Sequence, residues 1–309
     1  MSKRFDRKLA PRSARLVAAM ALTAALLPFA APHGAEAAQA GPAEAAHAER
    51  IVAVGGAVTE TLYALHAEDR IVAVDTTAVY PPEAAAKPSV GYMRALSAEG
   101  VLAMSPDLVL LEEGSGPPAA IDLLKASGVT IVNVPAGHGV EAIGRKIETI
   151  AAAVGKETAG AHLAETVEAK LGRLETRLSE LGERKRVLFV LSIVDGRPMA
   201  AGSGTAADAM IRLAGGTNVF AEVKGYKTLS PEAAAELAPD VVLMMSGAGP
   251  EHAAADPFAL PALAATPAGR EKALVRMDAG YLLGFGPRTA DAARDLAARL
   301  YPGRIEPAP

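Results

Sequence analysis

The sequence predicts an α/β protein made of two similar three-layer lobes. Each has a mainly parallel sheet, one long backbone helix joins them, and a ligand cleft lies between. Three observations point there. Short apolar runs alternate with helical stretches in both halves, the pattern of parallel sheets covered by helices. A charged amphipathic stretch, KETAGAHLAETVEAKLGRLETRLSELGERK (156–185), separates the halves. And LSAEGVLAMSPDLVLL (96–111) matches LSPEAAAELAPDVVLM (229–244) without a gap.

In chain order, the first fifteen residues form a basic segment, followed by the apolar run LVAAMALTAALLPFAA and then APHGAEAAQA. That is the layout of a secretory signal peptide, with small residues placed for cleavage after Ala37 or Ala40. The run is shorter than the roughly 20 residues of a spanning helix, and Pro28 interrupts it. A signal peptide over 1–40 and a loose leader over 41–49 are therefore expected, which leaves a mature chain that does not span the membrane. No cysteine follows the apolar run for lipid attachment.

The N-terminal lobe is expected over 50–155. RIVAV (50–54), RIVAVD (70–75), DLVLLE (107–112) and TIVNVP (130–135) read as strands. TETLYALHA (59–67), with Thr59 as N-cap, PPAAIDLLKASG (117–128) and GVEAIGRKIETIAAAVG (139–155) read as helices. The linking helix follows over 156–185, with Leu163, Val167, Leu171, Leu174, Leu178 and Leu181 at helical spacing. At 1.5 Å per residue it would be roughly 40 Å long. The C-terminal lobe then repeats the βα pattern over 186–309. Each copy of the repeat reads as a Ser N-cap, an acidic first turn, a short helix, a Pro-Asp turn and a buried strand.

Composition excludes several functions. Net charge is −4, so no basic footprint argues for nucleic acid. Aromatics are 4 % of residues, too few for base-stacking platforms. GSGTAADA (202–209) lacks the lysine and spacing of a phosphate loop and reads as a capped helix start. No nucleophile–base set stands out, so no enzyme activity is expected.

The stretches VDTTAVYPPEA (74–84), VGYMRALSAEGVLAMSPDLVL (90–110), MAAGSGTAADAMIRLAGGTNVF (199–220), YKTLSPEAAAELAPDVVL (226–243) and MDAGYLLGFGPRTADAARDLA (277–297) carry a resemblance. The chain resembles the periplasmic substrate-binding proteins of ABC importers whose lobes share one long helix, and most of all the haemin-binding ones. The Gly-Tyr-x-Arg-x-Leu-Ser-x-Glu-Gly run is the specific part. The resemblance implies a monomer that captures ferric haem (haem b) in the periplasm and delivers it to an inner-membrane permease with its ATPase. A cobalamin or ferric-siderophore carrier, or a ligand-free signalling module, are the alternatives.

Gly91–Arg94 sits between Pro88 and the cap Ser97, so an extended segment is expected, with Tyr92 and Arg94 on one side and Met93 opposite. Ferric iron favours hard oxygen donors, and tyrosine is an axial haem ligand. A free phenol ionises only near pH 10, but iron and a guanidinium both favour the anion. The resemblance implies Tyr92 as the iron ligand and Arg94 as the donor to its oxygen or to a propionate. Lower in rank come Tyr80 as a cleft wall, His138 and His252 at the cleft mouth, and Arg288, whose helix start would face a propionate. LSIVDGRPMAAG (191–202), where a second ligand would be sought, has no histidine, which favours one haem. The resemblance also implies two permease-docking carboxylates, Glu60 and Glu232, one at a helix start in each lobe.

Overall fold

The computed structural model describes residues 47–247 and 256–309. The signal-peptide reading and nearly all of the leader lie outside them, as does His252. Among the described residues no helix is long and apolar enough to cross a membrane.

The first lobe runs β1 (Ile51–Val54), α1 (Gly56–Ala64), β2 (Ile71–Val74), α2 (Ala98–Leu102), β3 (Leu108–Glu112), α3 (Pro118–Ala126), β4 (Thr130–Val134) and α4 (Val140–Ala153). Its sheet is all parallel, in the order β2-β1-β3-β4. Strand alternation divides the core in two. Ile51, Ala53, Leu108 and Leu110 pack on one face with Val58, Leu62 and Ile150. Val52, Val54, Val109 and Leu111 pack on the other with Val101 and Leu124.

The linking helix is α5 (Glu157–Ser179), 23 residues. At 1.5 Å per residue it is about 34 Å long, shorter than expected because it stops at Ser179. The expected apolar stripe is present: Val167, Leu171, Leu174 and Leu178 are buried. They share one core with Ile143 and Ile147 of α4 and with residues of the second sheet, so a continuous apolar layer runs from lobe to lobe.

The second lobe contains β5 (Arg186–Val194), β6 (Arg197–Ala201), α6 (Ala206–Leu213), β7 (Thr217–Asn218), β8 (Tyr226–Thr228), α7 (Pro231–Glu236), β9 (Val241–Ser246), α8 (Pro261–Ala264), α9 (Pro267–Glu271), β10 (Leu274–Asp278), α10 (Ala279–Leu283) and α11 (Thr289–Leu300). The sheet order is β10-β9-β5-β6-β8, with β7 also paired to β5. It is mixed, because the β5–β6 hairpin and the β6–β8 pair are antiparallel. The sequence reading missed β6 to β8, which are two to five residues long.

The internal repeat is a repeat of contacts. Asp107 Oδ2 accepts from the Arg50 amide at 3.1 Å, and Asp240 Oδ2 from the Arg186 amide at 2.9 Å. Arg50 donates to the Met104 and Ser105 carbonyls, and Arg186 to those of Leu237 and Ala238. Ser97 and Ser230 cap α2 and α7, accepting from Gly100 and Ala233, each at 3.2 Å.

Helix α1 begins three residues before the expected Thr59 cap. Its start is made by Gly55, at φ 117°, whose amide donates to Asp75. A side chain at Gly55 would also collide with the Glu112 carboxylate. Thr59 is buried inside the helix instead.

Candidate functional site

Parallel strands put β1, β2 and β3 ends on one side of the first sheet, the usual position of ligands in α/β folds. Asp75, just beyond β2, organises that edge. It is buried, and its carboxylate accepts from Gly55 N (2.9 Å), Thr77 N (3.1 Å), the Thr77 hydroxyl (2.8 Å) and Met93 N (3.2 Å). One carboxylate thus ties the α1 start, the 76–80 loop and the Tyr92 segment together.

The Tyr92 segment is a turn, not the extended stretch expected: Ala95 N donates to Tyr92 O at 2.7 Å. Gly91, at φ 90°, lets the chain enter it. The alternation of exposure survives. Met93 packs against the apolar core below, while Tyr92 (46 % exposed) and Arg94 face outward.

The second lobe meets the first through the stretch 279–288, which contains α10. Arg288 crosses to the first lobe. Its Nε and Nη2 donate to Glu60 Oε2 at 2.9 and 2.8 Å, and its amide donates to Glu60 Oε1 at 3.0 Å. The guanidinium lies 3.4 Å from the Tyr80 ring centroid and 5.0 Å from that of Tyr281. The Tyr281 phenol donates to Asp295, and burial with that carboxylate pushes its ionisation well up.

This corrects two expectations. Glu60 is not a free rim charge: it is buried, 8 % exposed, and paired to Arg288. Arg288 does not hold its amide out for an anion, because Glu60 already occupies it. Tyr80, expected as a cleft wall, is exposed and lies under the Arg288 guanidinium. His138 is not at an open mouth: it packs edge-on against Phe285 of the other lobe, with ring centroids 4.7 Å apart. Burial, then the charges of Lys146 and Arg212, holds its pKa below the usual 6.5. Lys146 itself is buried and donates to Glu112 at the end of β3, at 2.6 Å.

The sequence reading did not single out Tyr226, at the start of β8. It is 37 % exposed. Burial of the rest of the ring raises its pKa, partly offset by a side-chain hydrogen bond with Thr205 and by the charge of Arg94 on the opposite lobe. The available signal was the Gly-Tyr pair preceding the second repeat. Glu99 was missed as well. It holds the repeat position of Glu232, and both are exposed in the first turn of a Ser-capped helix. A groove of about 390 Å³ lies elsewhere, between α5, α11 and the C-terminus, lined by Lys170, Arg173, Arg177 and Arg294.

The family model for "Periplasmic binding protein" matches residues 51–281. Solved structures of periplasmic heme-binding proteins match at 31–41 % identity. One, BhuT in complex with two hemes, is 41 % identical with a TM-score of 0.76, covering 81 % of this chain and 97 % of that one. An uncharacterised ABC transporter substrate-binding lipoprotein of Bacillus subtilis, YvrC, is 27 % identical over 64 % of each chain. The vitamin B12-binding protein of Yersinia pestis is 28 % identical over 59 % of this chain and 62 % of its own. This chain thus spans a little under two thirds of these curated relatives. With two α/β lobes on a single connecting helix and this match over most of its length, the chain belongs to the periplasmic binding protein family.

Proposed function

We propose that this protein captures ferric haem in the periplasm and delivers it to an inner-membrane ABC permease and its ATPase. The observation that carries the reading is the Tyr92–Arg94 turn: an exposed phenol and an exposed guanidinium on a loop pinned by a buried carboxylate. The heme-binding solved neighbours support it. Tyr92 would ligate iron, Arg94 would donate to the phenolate or a propionate, and the walls around Val79 and Tyr80 would remove porphyrin surface from water at about 25 cal/mol per Å². The test is an absorption titration of the mature protein with haemin. A Soret band with a high-spin ferric pattern is expected, and Tyr92→Ala should abolish it. A colourless wild type, or full binding by the variant, overturns the reading.

A second reading, a cobalamin carrier, is favoured by the Yersinia relative. The absence of tryptophan and the Tyr-x-Arg run count against it. Equilibrium dialysis with cyanocobalamin beside haemin decides between them.

For docking on the permease, Glu99 takes the place given to Glu60. Glu99 and Glu232 are exposed, carried on the same repeat position of the two lobes, and free to meet one basic group on each half of a permease. Reversing both to lysine should abolish haem-dependent growth while leaving the haemin titration unchanged. Uptake retained by the double variant removes the docking assignment.

A further inference from the structure

The linking helix α5 carries its charges on two separate flanks. Lys170, Arg173 and Arg177 recur at i, i+3 and i+7 and share one face. Lys170 donates to Asp291 of α11 at 3.0 Å, so that face is turned toward α11. Glu168 stands on the other flank, its carboxylate against Gly144 of α4. The groove of about 390 Å³ between α5 and α11 opens on the basic flank, and Arg294 of α11 lines it from the opposite wall.

Four cations, Lys170, Arg173, Arg177 and Arg294, thus line one groove. Few anions answer them. Asp291 is taken by Lys170. Arg177 reaches Glu180 only at 3.9 Å, with both side chains mostly exposed. Glu306, on the segment after α11, also lines the groove and is exposed. Arg173 is exposed and makes no hydrogen bond or ion pair among the described residues. Arg173 and Arg177 form a like-charge i, i+4 pair, an arrangement that costs a helix stability. The walls are fixed without a ligand. Arg294 Nε donates to the Glu306 carbonyl at 2.8 Å, and Ala308 N donates to Asp295 Oδ1 at 2.7 Å. Leu174 and Ile305, both buried, supply an apolar floor.

We propose that this groove binds a small organic phosphate, its phosphate between Arg173, Arg177 and Arg294 and its apolar body over Leu174 and Ile305. The planar fork of arginine pairs bidentately with phosphate oxygens, and the anion offsets the repulsion among the three guanidinium groups. The volume lies within the range of about 300–1,000 Å³ of small-molecule pockets. A concave site of that size does not fit a bilayer, and a net charge of −4 opposes docking on an anionic one. The site uses neither Tyr92 nor Arg94, so it stands apart from the haem reading.

The test is isothermal titration calorimetry of the mature protein with phenyl phosphate, and with phenol and inorganic phosphate as the two halves of that probe. Phenyl phosphate should bind, and each half should bind at least ten-fold more weakly. Arg173→Glu should weaken phenyl phosphate at least ten-fold. Arg173→Lys, which keeps the charge and loses the fork, should recover part of the affinity. Neither variant should melt earlier than the wild type, because Arg173 has no partner to lose. Phenol binding as tightly as phenyl phosphate, an affinity unchanged in Arg173→Glu, or no binding by the wild type overturns the proposal. So does a wild type that ignores phenyl phosphate but sediments with phosphatidylglycerol vesicles, which would make this face a membrane contact. The haemin titration reports separately on the cleft, so either reading can fail alone.

Discussion

Asp75 shows at the residue scale how one buried group sets up a surface. Its charge is met by amides and a hydroxyl from three separate segments. Replacing it with alanine leaves those buried donors unsatisfied, at about 1–3 kcal/mol for each donor that water cannot reach. Asp75→Ala should therefore lower the thermal midpoint in calorimetry and weaken haemin binding together. Asp75→Asn keeps one acceptor oxygen and should recover part of both. Arg94 should behave differently. Arg94→Ala is exposed, so stability should hold, while haemin affinity falls about 10–100-fold, the usual cost of losing a group that supports a metal ligand. Tyr92 and Arg94 are both exposed, with Met93 turned inward, but not for the reason expected from the sequence. Strand alternation was assumed, and a turn gives the same pattern of exposure, because Met93 has apolar residues beneath it and its neighbours do not.

Among the elements, the repeat makes the clearest forecast. Ser97 and Ser230 cap equivalent helices through equivalent bonds. Ser97→Ala and Ser230→Ala should each cost about 1 kcal/mol in urea unfolding, and the double variant about the sum, since the caps share no partner. A double loss far from additive would mean that the lobes communicate through these helices. Strands and long helices were legible because their apolar periodicity is strong. The start of α1 was not, since Gly55 caps it through Asp75, twenty residues along the chain. The small strands β6 to β8 were missed because each owes its existence to a neighbour, not to its own pattern.

For the molecule as a whole, the question is what holds two lobes at one angle. The apolar layer through α4, α5 and α11 is one answer, and the Glu60–Arg288 pair is another. Both carboxylate oxygens are used, and both partners are mostly out of water. Glu60→Gln leaves Arg288 with a weaker partner and should cost about 2 kcal/mol, below the 3–5 kcal/mol of a fully buried broken pair. Small-angle scattering should then show a larger radius of gyration for Glu60→Gln than for the wild type. An unchanged radius would assign the lobe angle to the helices alone. His138 adds a pH dependence. Its folded pKa lies below 6.5, so below that pH the unfolded chain binds the proton more readily. Stability is therefore present above about pH 6.5 and falls as pH drops toward the folded pKa. Thermal midpoints at pH 7 and pH 5 should differ more for the wild type than for His138→Gln.

By itself, the sequence determined the α/β class, the linking helix and the two-fold repeat. These follow from local periodicity, capping grammar and neighbours a few positions apart, all of which act over short stretches of chain. Only the tertiary structure decided which charges are free. Glu60 and Arg288 are separated by most of the chain, and each looked like an exposed group at a helix start. Their bidentate contact removed both from the rim, whereas Glu99 and Glu232 stay exposed in the first turns of their helices. Burial and pairing depend on where distant segments meet, and no local pattern records that.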